Sequence, residues 1–224
     1  MRLSVIIPTW CEADRIAAHV GHARSVGDEV LVADGGSPDG TAERAREAGA
    51  RVVRCGKGRG RQLRAGAAAA TGDVLIFLHA DTTLARGARV AIERRLADPS
   101  VVGGNFLLRF DPPDRWGRLF DTANDLRRRA LRIYYGDSAI FLRRTTYDAI
   151  GGFRDQPLME DFDLVRRMEA AGSTAYIRDV IAWSSARRFR RAPVMTLASW
   201  ALLQGLYSVG VPAHWLARMY PDRR

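Results

Sequence analysis

Residues 3–12 read Leu3-Ser4-Val5-Ile6-Ile7-Pro8-Thr9-Trp10-Cys11-Glu12, an apolar run closed by a proline and a polar tail. A run dominated by branched aliphatic residues suits a strand buried on both faces, and Pro8 is expected to stop it after Ile7. Working outward, the pattern repeats. Residues 14–24 place Ile16, Ala17 and Val20 on one side of a helix, 29–33 form a second strand, 51–54 a third, and 74–78 a wholly apolar fourth. Strands alternating with helical stretches predict an α/β fold with a mostly parallel sheet and crossover helices. Ser37 is expected to cap the helix after the second strand, with Pro38 in its first turn and Gly49 beyond its end. A Gly/Arg loop over 56–62 then leads into a helix through 67–70.

Ligands of open parallel sheets sit at the carboxyl ends of the strands. Three segments land there: Pro8-Thr9-Trp10-Cys11-Glu12, Asp34-Gly35-Gly36 and His79-Ala80-Asp81. They are distant in sequence and predicted to converge. The second half is less regular, with strands over 101–110, 139–142 and 174–177, a long basic helix over 116–132, and an acidic helix start at Glu160-Asp161-Phe162-Asp163.

The chain has 224 residues, 47% hydrophobic and 27% charged, which suits one domain with a sizeable core. Its net charge is +10, carried almost wholly by arginine, since Lys57 is the only lysine. A basic balance raises nucleic acid or an anionic surface as partner. An arginine-rich, high-GC genome produces the same bias, and no nucleic-acid partner is expected. Two cysteines, Cys11 and Cys55, make neither a disulfide framework nor a metal cluster, and suggest a reduced, cytoplasmic setting. The apolar run at the start is too short for a signal peptide.

Each candidate group has a functional and a structural reading. Asp81 at a strand end can hold a divalent cation on a diphosphate, or cap a helix. His79 reads as a ligand or as a structural histidine. Asp34 can accept a hydrogen bond from a nucleoside, or form an Asx turn. Gly56-Lys57-Gly58-Arg59-Gly60-Arg61-Gln62 can present N–H and guanidinium groups to phosphates or be a solvated turn, and its spacing fits neither a P-loop nor a dinucleotide fingerprint. Glu160, Asp161 and Asp163 are either a general base with its neighbours or acids placed to suit a helix dipole. The runs Arg127-Arg128-Arg129 and Arg187-Arg188-Phe189-Arg190-Arg191 read as solvated faces, with Arg187 and Arg188 also able to reach a diphosphate.

Taken together, these segments resemble glycosyltransferase family 2. Val5 through Glu12 is similar to that family's V-I-I-P-T-x-N-E, with Cys11 where asparagine is usual. Ala33 through Thr41 is similar to V-D-D-G-S-x-D-G-T, with Gly35 in place of the second acid. Gly58 through Gly66 keeps the family's glycine spacing. His79-Ala80-Asp81 stands where D-x-D is typical, and Gly151-Gly152-Phe153 followed by Glu160-Asp161 resembles the acceptor-side G-G-F…E-D. The variants His79, Gly35, Gly136-Asp137 and Ser185-Ala186-Arg187-Arg188 look like one bacterial branch of small family 2 proteins sometimes linked by name to arsenosugar biosynthesis. The resemblance implies a GT-A-like fold and inverting transfer from a nucleoside-diphosphate sugar, UDP-linked by default, to an acceptor hydroxyl. It implies Asp161 as base with Glu160 beside it, and Asp81 holding Mg²⁺ or Mn²⁺. Pro8, Thr9, Glu12, Asp34, Arg59, Arg64 and Ala80 are implied at the nucleotide, and His79, Arg187, Arg188, Gly136 and Asp137 at the diphosphate or acceptor. A sugar-phosphate nucleotidylyltransferase shares this architecture but calls for a glycine-rich loop directly after the first strand. A basic membrane- or RNA-binding module accounts for the arginines and leaves the strand-end acids unexplained.

Residues 194–211 run without a charge, the lower limit for spanning a bilayer. Gln204, Gly205, Gly210 and Pro212 argue against a span. The expected organisation is a GT-A-like domain over 1–192 and a C-terminal helical appendage over 193–224. That hydrophobic helix packs on the domain, joins a homodimer, or lies on the inner face of the membrane.

Overall fold

The computed structural model describes residues 1–188 and 192–219, apart from the side chain of Arg188. One eight-stranded sheet runs through them in the order β3-β2-β1-β4-β7-β6-β8-β5. The strands are β1 (Leu3–Thr9), β2 (Glu29–Asp34), β3 (Arg51–Arg54), β4 (Val74–Phe77), β5 (Thr82–Leu84), β6 (Val101–Asp111), β7 (Ile140–Arg143) and β8 (Ser173–Ser185). Pairings of β1 with β2 and β4, of β2 with β3, and of β6 with β8 are parallel. Those of β7 with β4 and β6, and of β5 with β8, are antiparallel. Parallel pairing therefore prevails only narrowly in a mixed sheet.

The apolar runs are continuous because both faces are covered. Leu3, Val5, Ile7, Val30, Val32, Val74 and Ile76 face helices α1 (Ile16–Ala23), α2 (Thr41–Glu47) and α4 (Ala88–Leu96). The alternate residues Ile6, Leu31, Leu75 and Phe77 face α3 (Arg59–Ala69), α6 (Arg144–Ala149) and α7 (Glu160–Ala171). The period-two alternation of strand side chains divides each run between two cores.

Several expected boundaries move. Pro8 stays in β1 and pairs in register with Ala33; the strand runs on to Thr9. Ser37 does not cap α2: the capping residue is Gly40 in a left-handed turn, φ +84°, and Asp39 Oδ1 accepts from the Thr41 N–H at 3.1 Å. The Gly/Arg loop ends early, because α3 already starts at Arg59. The last strand extends well beyond 174–177, reaching Ser185 along the whole of β6 past a bulge. That bulge breaks the period-two pattern, so the second half of β8 is hidden in the sequence.

Close approach explains Gly104 in β6. A Cβ there would collide with the Ala175 carbonyl on β8 and lie 2.9 Å from the Phe141 ring. Gly104→Ala should lower unfolding free energy by about 1–3 kcal/mol through overpacking, measured by urea titration. An unchanged midpoint would show that the strands have room.

The arginine run on α5 (Arg115–Leu131) is not a solvated face. Arg128 is buried, stacked 4.3 Å from the Tyr134 ring centroid and 5.4 Å from that of Tyr176. It donates to Asn105 Oδ1 at 2.7 Å and Thr174 Oγ1 at 3.0 Å, with Glu169 at 3.4 Å as counter-charge. A guanidinium so paired and bonded is tolerable in the interior, where a lone one is not.

The C-terminal segment forms two helices rather than one: α8 (Pro193–Ser208) and α9 (Ala213–Met219), parted by Gly210 (φ +93°) and Pro212. Leu203 and Leu216 are buried with Ile133, Met159 and Phe162, and Trp200 meets Phe120 edge-on at 5.7 Å. Among the described residues no helix is long and apolar enough to cross a membrane.

Candidate active site

The parallel half of the sheet lays its carboxyl ends side by side, and the loops there are tied together by side chains. The N–H groups of Cys11, Glu12 and Ala13 donate in turn to Ser37 Oγ at 2.9 Å, Thr41 Oγ1 at 2.9 Å and Asp39 Oδ2 at 3.2 Å. Arg44 returns a bond to the Ala13 carbonyl at 3.0 Å. Asp34 is enclosed, and its carboxylate braces this frame. Oδ2 accepts from the Gly36 and Ser37 N–H groups at 3.1 and 3.0 Å, and Oδ1 from Ser37 Oγ at 2.5 Å and Thr9 Oγ1 at 3.5 Å. The structural reading of Asp34 as an Asx-turn former is thus realised.

Gln62 on α3 was not singled out by sequence. It is buried and its Nε2 donates to the Thr9 carbonyl at 2.6 Å and the Ala33 carbonyl at 3.0 Å, locking the ends of β1 and β2 together. The available signal was a glutamine set just after a glycine run, where a helix was expected to begin. A Cβ at Gly35 would press on Gln62 and on Lys57 Cα, both 3.2 Å away. Lys57 Nζ sits 4.6 Å from the Trp10 ring centroid.

A polar cavity of about 330 Å³ opens beside this frame, lined by Glu12, Asp14, Arg15, Asp39, Arg44 and Arg187 among others. Arg187 arrives because the long β8 and β5 pair across the turn that carries Asp81. The Ser185 N–H donates to the Asp81 carbonyl at 3.2 Å, and the Thr82 N–H to the His79 carbonyl at 3.0 Å. Asp81, Arg15 and Arg187 share one electrostatic neighbourhood around His19. Burial pushes the His19 imidazole down, Asp81 pulls it up, and the two arginines push it down further. Glu12 and Arg187 line one cavity, and the Asp81 turn is tied to the strand end just before Arg187 by the Ser185 bond. The side chain of Arg188 lies outside what the structure describes, as do residues 189–191.

A second group gathers at the start of α7. Here three adjacent acids part company. Glu160 is buried and paired with Arg59 Nε; Asp163 is held by Arg154 at 3.0 Å and Arg167 at 2.5 Å. Asp161 instead turns to the 3-10 turn Gly136–Ser138, where its Oδ2 accepts from the Gly136 N–H at 3.0 Å and lies 3.7 Å from Arg59 Nη2. Gly136 in turn backs against His79, whose imidazole occupies the space a Cβ would need. His79, Gly136, Asp161, Arg59 and Glu160 thus form one connected cluster, with the charge of Asp137 also acting on Arg59.

The electrostatics follow from burial. Burial alone would lower the Arg59 pKa, but Glu160 and Asp161 outweigh it and hold the guanidinium above its usual range. Burial pushes the Glu160 carboxyl up against the pull of Arg59. Tyr135 is likewise pushed up by burial and stays a donor, to Gln204 Oε1 at 2.6 Å on α8.

Gly60 sits at a close packing point. A Cβ there would lie 2.9 Å from the Arg154 carbonyl, so this glycine lets α3 close on the loop before α7. Arg64 is exposed on α3, about 140° round the helix from Arg59, and its charge falls near Tyr147. Two predicted nucleotide residues thus lie apart from the strand-end frame: Arg64 on this side of α3, and Arg59 with Glu160 and Asp161. Ala80 is buried in the turn between His79 and Asp81.

The family model described as Glycosyl transferase family 2 matches residues 4–154. Glycosyltransferase AglJ of Haloferax volcanii is 47% identical over 62 residues, 27% of this chain and 20% of that protein. The match thus spans one fifth of that relative's length. Glucosyl-3-phosphoglycerate synthase from Mycobacterium tuberculosis, solved with Mn²⁺, UDP-glucose and phosphoglyceric acid, is similar at TM-score 0.62 and 20% identity, over 94% of this chain and 80% of that one. Mannosyl-3-phosphoglycerate synthase from Rubrobacter xylanophilus gives TM-score 0.58 at 18% identity, over 94% and 75%. At such identities the likeness to the two structures speaks for the fold.

Proposed function

Since this chain belongs to glycosyl transferase family 2, we propose that it transfers a sugar from a nucleoside diphosphate, UDP as first choice, to an acceptor hydroxyl with inversion. The observation that carries this reading is the separation of the three acids at α7. Two are locked by arginines, while Asp161 faces the turn that touches His79.

The donor lies at the strand ends, its nucleoside against Pro8, Thr9 and Glu12, on the frame that Asp34 holds. Arg187 faces the diphosphate from the cavity rim, with Arg188 next to it in sequence. Asp161 takes the proton of the acceptor hydroxyl as it attacks the anomeric carbon, and the new bond forms opposite the departing diphosphate. Arg59 keeps Glu160 in place and its charge beside Asp161, and the Gly136 N–H fixes the orientation of the Asp161 carboxylate. We read residues 1–192 as the unit that performs this and 193–224 as its appendage, in a cytoplasmic protein.

A divalent cation fits this donor set in one way. Among the described residues no three His, Cys, Asp or Glu side chains gather as a metal cluster. Mg²⁺ and Mn²⁺ held by one carboxylate plus phosphate oxygens need no such cluster. Asp81 would hold the ion together with the nucleotide, where it would offset charge on the leaving diphosphate. The bound UDP-glucose and Mn²⁺ of the mycobacterial synthase support this choice.

The test is a melting experiment. UDP with Mn²⁺ at about a hundred times the dissociation constant should raise the melting temperature by roughly 5–10 °C. Asp81→Ala should abolish the metal-dependent part and leave the unliganded melting temperature unchanged. Equal metal dependence in the variant would remove Asp81 from the role, and no response to any nucleoside diphosphate or sugar would overturn the function.

A further inference from the structure

We infer that His79 is a positioning residue: its imidazole seats the turn Gly136–Ser138 so that the Gly136 N–H aims the Asp161 carboxylate. It does this without touching donor or acceptor. Sheet register dictates the approach. β4 and β7 pair antiparallel, with Phe77 opposite Ile140, so the chain leaving β4 runs toward the turn that feeds β7. Leu75 and Phe77 pack with Leu164 and Val165 of α7, and the period-two alternation sends His79 to that same side of the sheet. The residue is buried there.

The space at Gly136 measures how tight the contact is. A Cβ there would collide with Nε2 of the imidazole and lie 2.9 Å from Cε1 and 3.2 Å from Cδ2. Gly136 is not among the glycines with positive φ, so its backbone suits any residue and it is the ring that demands glycine. The turn is held as a unit. Ser138 Oγ donates to the Tyr135 carbonyl at 2.7 Å, and the Ala139 N–H to the Gly136 carbonyl at 3.1 Å. From this turn the Gly136 N–H reaches Asp161 Oδ2 at 3.0 Å.

The backbone of His79 is fixed as well, its carbonyl accepting from the Thr82 N–H at 3.0 Å, while the Asp81 carbonyl accepts from the Ser185 N–H at 3.2 Å. One side chain thus ties the turn that carries Asp81 to the turn that aims Asp161. Aim matters, because displacing a catalytic group by about 1 Å costs about a hundredfold in rate. The catalytic consequence rests on the role proposed for Asp161; the contact itself does not.

The test is a double-mutant cycle on the full chain. Gly136→Ala should cut transfer per folded molecule by about a hundredfold and leave the donor KM within about twofold. His79→Ala alone should cost about tenfold, because the turn loses its seat. It also frees the space a methyl needs, so adding Gly136→Ala to it should cost less than about twofold more. His79→Gln, which keeps much of the reach of the ring, should lie between the native protein and His79→Ala. A second measurement needs no substrate. Amide hydrogen exchange at Gly136 in the unliganded protein should quicken by about tenfold in His79→Ala, with the amides of β2 unchanged. Additive losses in the double variant, or unchanged exchange at Gly136, would overturn the inference. A His79→Ala protein that melts lower but transfers at the full rate would reduce the residue to core packing, and one that no longer responds to nucleotide would make it a donor contact. The exchange result decides the contact even where no nucleoside diphosphate or sugar stabilises the protein, the outcome that removes the proposed function.

Discussion

Asp161→Asn should leave donor affinity within about twofold and reduce transfer by about two to four orders of magnitude, the usual worth of a positioned general base. The substitution keeps the size of the side chain and an oxygen able to accept from the Gly136 N–H, 3.0 Å away in the native protein. It removes the capacity to take a proton, together with the negative charge 3.7 Å from Arg59 Nη2. The contrast with its neighbours sharpens the test. Asp163→Asn should weaken the protein by loosening Arg154 and Arg167, with transfer per folded molecule close to normal. Single-turnover rates and nucleotide titrations on the two variants separate chemistry from folding. Near-normal turnover by Asp161→Asn would exclude it as the base.

Arg59→Met should produce the largest stability loss of any single change at the site, about 3–5 kcal/mol near neutral pH, because it strands a buried carboxylate. Only 2% of the Glu160 side chain is exposed, and Arg59 is its direct ion partner. The loss should shrink in acid. The native Glu160 carboxyl already titrates above its ordinary value of 4.5, and removing Arg59 raises it further. A carboxyl raised in the folded state takes up a proton on folding. Its stabilising contribution is present below the unfolded pKa and fades as pH climbs through the folded one. Urea titrations of both proteins at about pH 7 and about pH 5 should therefore converge on the acid side. A difference that does not change with pH would mean that Glu160 is not the group left unpaired.

Much of this molecule was legible without coordinates. Strand-forming runs such as Val74–Phe77 are short and apolar, and their identity depends on local composition and period. The convergence of Pro8–Glu12, Asp34–Gly36 and His79–Asp81 was likewise implied, because parallel strands align their carboxyl ends. Local pattern was misleading where a residue's partner lies far along the chain. Ser37 reads as a helix cap, yet its hydroxyl serves Cys11 and Asp34. Arg128 reads as part of a solvated run, yet it is buried between two tyrosines. The second half of β8 breaks its period at a bulge, so nothing local announces that it carries Ser185 to the Asp81 turn.

Sequence by itself determined the α/β class, the family likeness and the set of acids worth testing, since each rests on residue types at short spacing. Only the tertiary structure decided which partners each acid meets. Glu160, Asp161 and Asp163 are equivalent as members of one helix start, where the dipole favours all three alike. They differ through groups contributed by distant segments: Arg59 from α3, Gly136 from the turn after α5, and Arg154 from the loop before α7, joined at Asp163 by Arg167 one turn along its own helix. A charge takes its chemical role from the counter-charges and donors within a few ångströms of it, and apart from Arg167 those neighbours are set by the packing of the chain rather than by adjacent letters.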